Sequence, residues 1–332
     1  MANIKLKNEH LNAKLIALWA VSESALGGFL HAIKMPFSGL FLGSFAIIII
    51  TYLAHINTKH HFSVIVKATI LVVLIKAIAS PHSPPMAYIA VIFQGLLGAT
   101  IYGTLRLNRF TAIIFGSIAL LESAFQKVLT LTFLFGAGIW ESVQEFFDGL
   151  QNKLQMEWIT DLPLIFLTMY GLLYVLIGAI AGNFAFKLPQ LILENSTKLK
   201  TKFIQESSNS KKQKKKTRIW IIIVLLIFSS SVFLMSGMSD KALYIILRTF
   251  GAIILFLFII NPIFKFLMQK WVSKSKIKNQ ENLEHIIHLM PDIKSNITQA
   301  QQLSASEKGV FRRSKQFIIN WLSLTLHNDN DG

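Results

Sequence analysis

The chain has no cysteine, which excludes disulfides, thiolate metal sites and cysteine nucleophiles. It is also short of charge. Only 15% of its 332 residues are Asp, Glu, Lys or Arg, while 53% are hydrophobic, and an average soluble domain is about 25% charged. Acidic residues are the scarcer sign, 17 against 33 Lys and Arg, which leaves a net charge of +16. Phosphate-loop and zinc-peptidase patterns (G-x-x-x-x-G-K-[ST] and H-E-x-x-H) are absent, and no serine, threonine or aspartate stands in a nucleophile setting. The chain therefore reads as a non-enzyme without a cofactor. Any active transport would draw on another subunit or an ion gradient.

What is present is a series of long apolar runs. About 20 mostly apolar residues suffice to cross the hydrocarbon core of a bilayer as a helix. Such runs fall near residues 11–33, 37–56, 63–80, 84–105, 110–139, 160–186, 219–238 and 242–268. The fold class implied is an all-α polytopic membrane protein. A six-helix bundle over 1–190 precedes a basic linker over 191–217, a two-span hairpin over 218–270, and a helical tail over 271–332. The first run is not a cleaved signal peptide, because it carries Glu23 mid-run, lacks a small-x-small cleavage site and leads directly into another span. Between the fifth and sixth runs, Val143, Phe146, Phe147, Leu150, Leu154 and Trp158 recur at helical spacing, which predicts a surface helix with its apolar face on lipid or on the bundle.

The cations set an orientation. With the N-terminus in the cytoplasm, the inner loops carry Lys59, Arg106 and Arg109, the Lys187–Arg218 stretch and the tail from Lys265, whereas the acidic segment Glu141–Asp161 falls outside. The positive-inside rule favours this arrangement, with both termini cytoplasmic in a bacterial inner membrane. The Lys198–Lys216 run lacks interleaved aromatics, so anionic lipid, not nucleic acid, is its expected partner. In the tail, Phe311, Phe317, Ile318, Trp321, Leu322 and Leu324 alternate with Arg312, Arg313 and Lys315, the pattern of a basic amphipathic helix on a membrane surface or a partner.

Polar groups inside a membrane are costly and mark candidate sites. Glu23 lies in the first span, Lys76 in the third, Gln94 in the fourth, Glu122 and Lys127 in the fifth, and Asn183 in the sixth. Lys76, Lys127 or a solute would neutralise Glu23. Lys14 and Lys67 suit snorkelling, with the stem in lipid and the charge at the surface. The first hairpin contains Gly27, Gly28, His31, Lys34, Pro36 and Gly39, and the third turn reads Ala-Ser-Pro-His-Ser-Pro-Pro around His82. In the expected orientation these turns face outside, where Lys34 and His82 would line a ligand entrance. His60 and His61 are adjacent and cannot both face one metal ion in a regular element, and the spacing of Glu281, Glu284, His285 and His288, which could hold a metal, suits a solvated helix face better.

Six spans within 190 residues, the Ala13-Lys14-Leu15-Ile16-Ala17 stretch, and Pro36-Phe37-Ser38-Gly39 followed by Leu40-Phe41-Leu42-Gly43 resemble the substrate-binding (S) components of energy-coupling-factor (ECF) vitamin transporters. The resemblance covers about residues 8–190. It implies that Ala13 and Ala17 dock a transmembrane coupling subunit, that an ATPase pair resides in separate chains, and that a vitamin-like small molecule binds near the outer helix ends. There it would meet Glu23, Lys34, His82, Gln94 and Glu122. Residues 191–332 depart from that family. A different function, a non-transport membrane scaffold whose cytoplasmic tail binds a partner, also suits the composition.

Overall fold

The computed structural model describes residues 2–26, 38–80, 83–136, 138–154, 161–202, 251, 254–278, 280–307 and 309–327. Those residues form ten α-helices, and none forms a strand. They are α1 (Ala2–Val21), α2 (Ser38–Ile56), α3 (His61–Ala79), α4 (Pro85–Leu105), α5 (Arg109–Phe135), α6 (Gly138–Leu154), α7 (Leu162–Lys202), α8 (Asn261–Lys278), α9 (Gln280–Ser304) and α10 (Val310–His327). Two π-helical turns, Ser22–Leu26 and Phe256–Ile260, extend α1 and lead into α8. The expected spans 219–238 and most of 242–268 lie outside the described residues, as do Lys34 and His82.

Five helices, α2, α3, α4, α5 and α7, are long and apolar enough to cross a membrane. The chain is an all-α polytopic membrane protein. Local chemistry accounts for several boundaries. Pro85 opens α4, where its missing N–H costs nothing. Asn108 caps α5 reciprocally: the Thr111 backbone N–H donates to Asn108 Oδ1 at 2.9 Å, and the Asn108 N–H donates to Thr111 Oγ1 at 3.0 Å. The predicted surface helix is α6. It is held by Phe147, whose ring lies 4.8 Å from that of Phe166 on α7, while Phe146 stays exposed.

α1 and α2 form the centre. From Leu15 to Val21, α1 is buried on every side, and so is most of α2 from Phe45 to Ala54. α1 packs on α2, α3 and α9, and α5 pairs with α7 along most of its length. Where α5 and α7 meet, glycines let the backbones touch. A Cβ on Gly178 would strike the carbonyl of Gly116, and one on Gly182 would strike that of Ala112. Such backbone proximity maximises dispersion between helices in lipid, where no hydrophobic drive separates packed from unpacked states.

The C-terminal helices belong to the same core. Leu283, Ile286 and Ile293 of α9, and Trp321, Leu322 and Leu324 of α10, join one buried cluster with α1 and α2. Trp321 stacks on Phe45 at 5.0 Å and donates to the Ile293 carbonyl at 3.1 Å. This corrects the reading of α10 as a helix whose whole apolar face rests on a membrane or a partner: Trp321, Leu322 and Leu324 are covered by the chain itself, and Phe311 stays exposed. α7 also differs from expectation. It runs through Pro189 to Lys202, into the segment read as linker. Leu188 and Ile192 extend its buried stripe, and Asn195 is engaged by α10. The Asn195 amide donates to Asn320 Oδ1 at 3.0 Å and Ser323 Oγ at 3.1 Å, and accepts from Gln316 Nε2 at 3.2 Å. Removing one member of a half-buried network leaves the others short of partners, at about 1–3 kcal/mol. Asn195→Ala should therefore lower the stability of detergent-solubilised protein by that amount. Thermal unfolding beside an exposed control such as Glu194→Ala checks it.

Candidate functional site

The candidate site is a column of buried polar groups along the inward face of α4. At its first level, Lys76 of α3 donates to Glu23 Oε2 at 2.7 Å and to the Ala87 carbonyl of α4 at 3.1 Å. Its Nζ lies 5.7 Å from the centre of the Tyr88 ring. Both charged side chains are almost wholly enclosed, at 2% and 5% exposure for Lys76 and Glu23. A pair this deep persists only because each charge answers the other, since an ion alone in low dielectric costs several kcal/mol. Glu23 occupies the π-helical turn that follows α1, and such turns inside helices recur at functional positions.

Gln94 forms the second level. It is buried, and its amide nitrogen lies 3.2 Å from where a Cβ of Gly43 would stand, with the Ser123 hydroxyl at 3.6 Å from the same point. The missing side chain of Gly43 on α2 leaves room first for Leu120, whose Cδ2 lies 2.6 Å from that point, and beside it for Gln94 of α4 and Ser123 of α5. The third level is Tyr102, whose hydroxyl shares a hydrogen bond of 2.8 Å with Thr51 of α2. Tyr88, Gln94 and Tyr102 are all buried residues of α4. Ala87, Gln94 and Tyr102 are separated by seven and eight residues, about two turns each, so the column runs for roughly 22 Å at 1.5 Å per residue. The hydrocarbon core of a bilayer is about 30 Å thick.

The sequence-predicted residues divide accordingly. Glu23 and Gln94 share the column, and Lys76 is the partner chosen among those open to Glu23. Glu122 stands on α5 next to Ser123, with its Oε2 buried and without a hydrogen-bond partner among the described residues. One turn on, Gln126 donates to the Met86 carbonyl at 3.2 Å. Asn183 is taken by Arg109, whose Nε donates to its Oδ1 at 2.8 Å. Lys67 is exposed, as snorkelling requires, whereas Lys14 is buried instead. Ala13 and Ala17, which the resemblance gives to docking, are buried within the chain on a helix packed by α2, α3 and α9. The apolar stretch of α1 needs covering, and the chain's own C-terminal helix provides part of that cover.

Thr51, Tyr102 and Ser123 were not foreseen. A hydroxyl in an apolar span is common and gives no sign by itself of which way it points. Their signal lay in the period shared by Gln94 and Tyr102. The contact glycines were more legible, since Gly178 and Gly182 form a G-x-x-x-G pair in an apolar run. Outside the column, α5 and α7 form an apolar groove of about 370 Å³ lined by Leu121, Phe125, Val128, Leu167, Leu172 and Val175, suited to acyl chains and not to a polar solute. Among the described residues, no three His, Asp or Glu side chains gather closely enough to share a metal ion. No family model, curated protein or solved structure matches the chain.

Proposed function

We propose that the protein is a membrane-embedded solute-binding component that captures a small, polar, vitamin-like molecule, as the resemblance to ECF S components implies. The observation that carries this reading is the column: ion pair, amide and hydroxyl levels stacked through most of a bilayer's thickness on one helix face. Each level desolvates polar groups at a cost that packing alone does not require. A bundle held together only for anchorage would fill those positions with Leu or Val.

In the arrangement described, the column is closed. Lys76 is engaged by Glu23 and the Ala87 carbonyl, and Gln94 is buried beside Gly43. A solute with its own acceptors and donors would exchange places with these internal partners, so that no buried group is left unsatisfied during capture. Glu23 and Lys76 would meet charged or strongly polar groups of the solute, and Gln94 with Ser123 would meet an amide or hydroxyl edge. Because the chain has no phosphate-binding loop, inward release would rely on a coupling subunit with separate ATPases. Such a subunit would have to dock elsewhere than at Ala13 and Ala17, or displace α9 to reach them.

Protein purified in mild detergent should carry a copurifying small molecule detectable by mass spectrometry. A panel of vitamins should contain one that raises Tm, and a ligand at about 100 times its Kd adds about 2.7 kcal/mol of stability. Gln94→Ala should abolish that response while leaving a folded protein. The proposal fails if no molecule copurifies and no candidate shifts Tm, or if Gln94→Ala responds like the wild type.

A further inference from the structure

α10 is divided in a way its amphipathic sequence does not announce. From Ile319 to Leu326 it is core. Its first turns are the reverse: Phe311 is 73% exposed, and Arg312, Arg313, Ser314 and Lys315 are all exposed. The only hydrogen bond the three cations make among the described residues runs from Arg313 Nη2 to the Glu307 backbone carbonyl at 3.3 Å. No acidic residue occurs anywhere from Val310 to His327. Three cations at the start of a helix also oppose its macrodipole, which favours anions there, so they do not serve the helix. A large exposed aromatic followed by three exposed cations that make no ion pair among the described residues is the surface complement of an anionic bilayer, with the ring entering the headgroup layer and the cations meeting phosphates. The same helix is fixed to the membrane bundle, because Trp321 stacks on Phe45 of the spanning helix α2.

We infer that the tip of α10, Phe311 with Arg312, Arg313 and Lys315, is a contact for anionic phospholipid. The contact is independent of the lysine-rich linker and does not need solute capture. It would tie the position of α10, and through it the covering of α1 by α9, to the charge of the surrounding membrane.

The absence of cysteine makes the test clean. Phe311→Cys in the full chain takes an environment-sensitive fluorophore at one site, with Gln302→Cys on the exposed side of α9 as reference. The labelled proteins are placed in nanodiscs of phosphatidylcholine alone or mixed with phosphatidylglycerol. At position 311 the emission should shift to the blue and become quenchable by bromolipid only in the phosphatidylglycerol discs. Each cation near such a surface is worth roughly fivefold in partitioning, so R312E/R313E/K315E should eliminate the shift. If that variant does not fold, salt serves instead: about 1 M shortens the Debye length to roughly 3 Å and should reverse the shift. A label that stays as water-exposed in anionic discs as in neutral ones, or a shift insensitive to both charge reversal and salt, overturns the proposal. The first of those outcomes would leave the patch to an acidic protein partner.

Discussion

Gly178→Leu should leave little or no correctly folded protein. A Cβ at Gly178 falls on the backbone of Gly116 and Ser117, and backbone cannot rotate away as a flexible side chain can. Overpacking a well-filled core costs about 1–3 kcal/mol and sometimes more. Here the first carbon alone forces α5 and α7 apart along the longest helix pairing in the bundle, and a leucine adds three more carbons. The displacement also reaches the site. Ser123 stands on α5 two turns from Gly116, and Arg109 at the start of α5 is bonded to Asn183 of α7. Gly178→Ala should show an intermediate loss, with a lower Tm and unchanged helix content by circular dichroism. Gly171, whose Cβ would make only an ordinary contact with Leu121 at 3.6 Å, is the control, and Gly171→Ala should be nearly silent. Equal behaviour of the alanine variants at 171 and 178 would show that the close approach does not matter.

How much of this was legible depended on whether the signal was local. Five of the eight expected spans were, because length and hydropathy alone decide whether a segment suits a bilayer. The expected 37–56, 63–80 and 84–105 became α2, α3 and α4 with shifts of only a residue or two at most ends. The costly residues were legible too: Glu23 and Gln94 were marked by their presence in apolar runs, and both proved buried. Choosing Lys76 as the partner of Glu23 was not a local matter, since it depends on α1 and α3 lying side by side. The tail misled for the same reason. Phe317, Trp321 and Leu324 form an apolar stripe that is identical in sequence whether it faces lipid, a partner or the chain's own core. Asn195, Gln316 and Asn320, which bind the tail to α7, read in sequence as ordinary polar residues of a linker and a tail.

Breaking the Glu23–Lys76 pair from one side should be the second large effect. Lys76→Met removes a cation that is bonded to Glu23 Oε2 at 2.7 Å and leaves a carboxylate at 5% exposure without its partner. Uncompensated burial of one member of such a pair costs about 3–5 kcal/mol, whereas replacing both by apolar groups is often neutral or favourable. The expected order of thermal stability is therefore wild type well above Lys76→Met and Glu23→Leu, with the double variant Glu23→Leu/Lys76→Met recovering most of the loss. The recovery separates structure from function. If the pair serves packing alone, the double variant regains both its Tm and any solute-induced shift. If Glu23 and Lys76 exchange their mutual bond for bonds to a captured solute, the double variant is stable but no longer responds to that solute. Additive losses in the double variant, with no recovery, would mean that the two side chains do not act as a pair and would remove the upper level of the column as a functional unit.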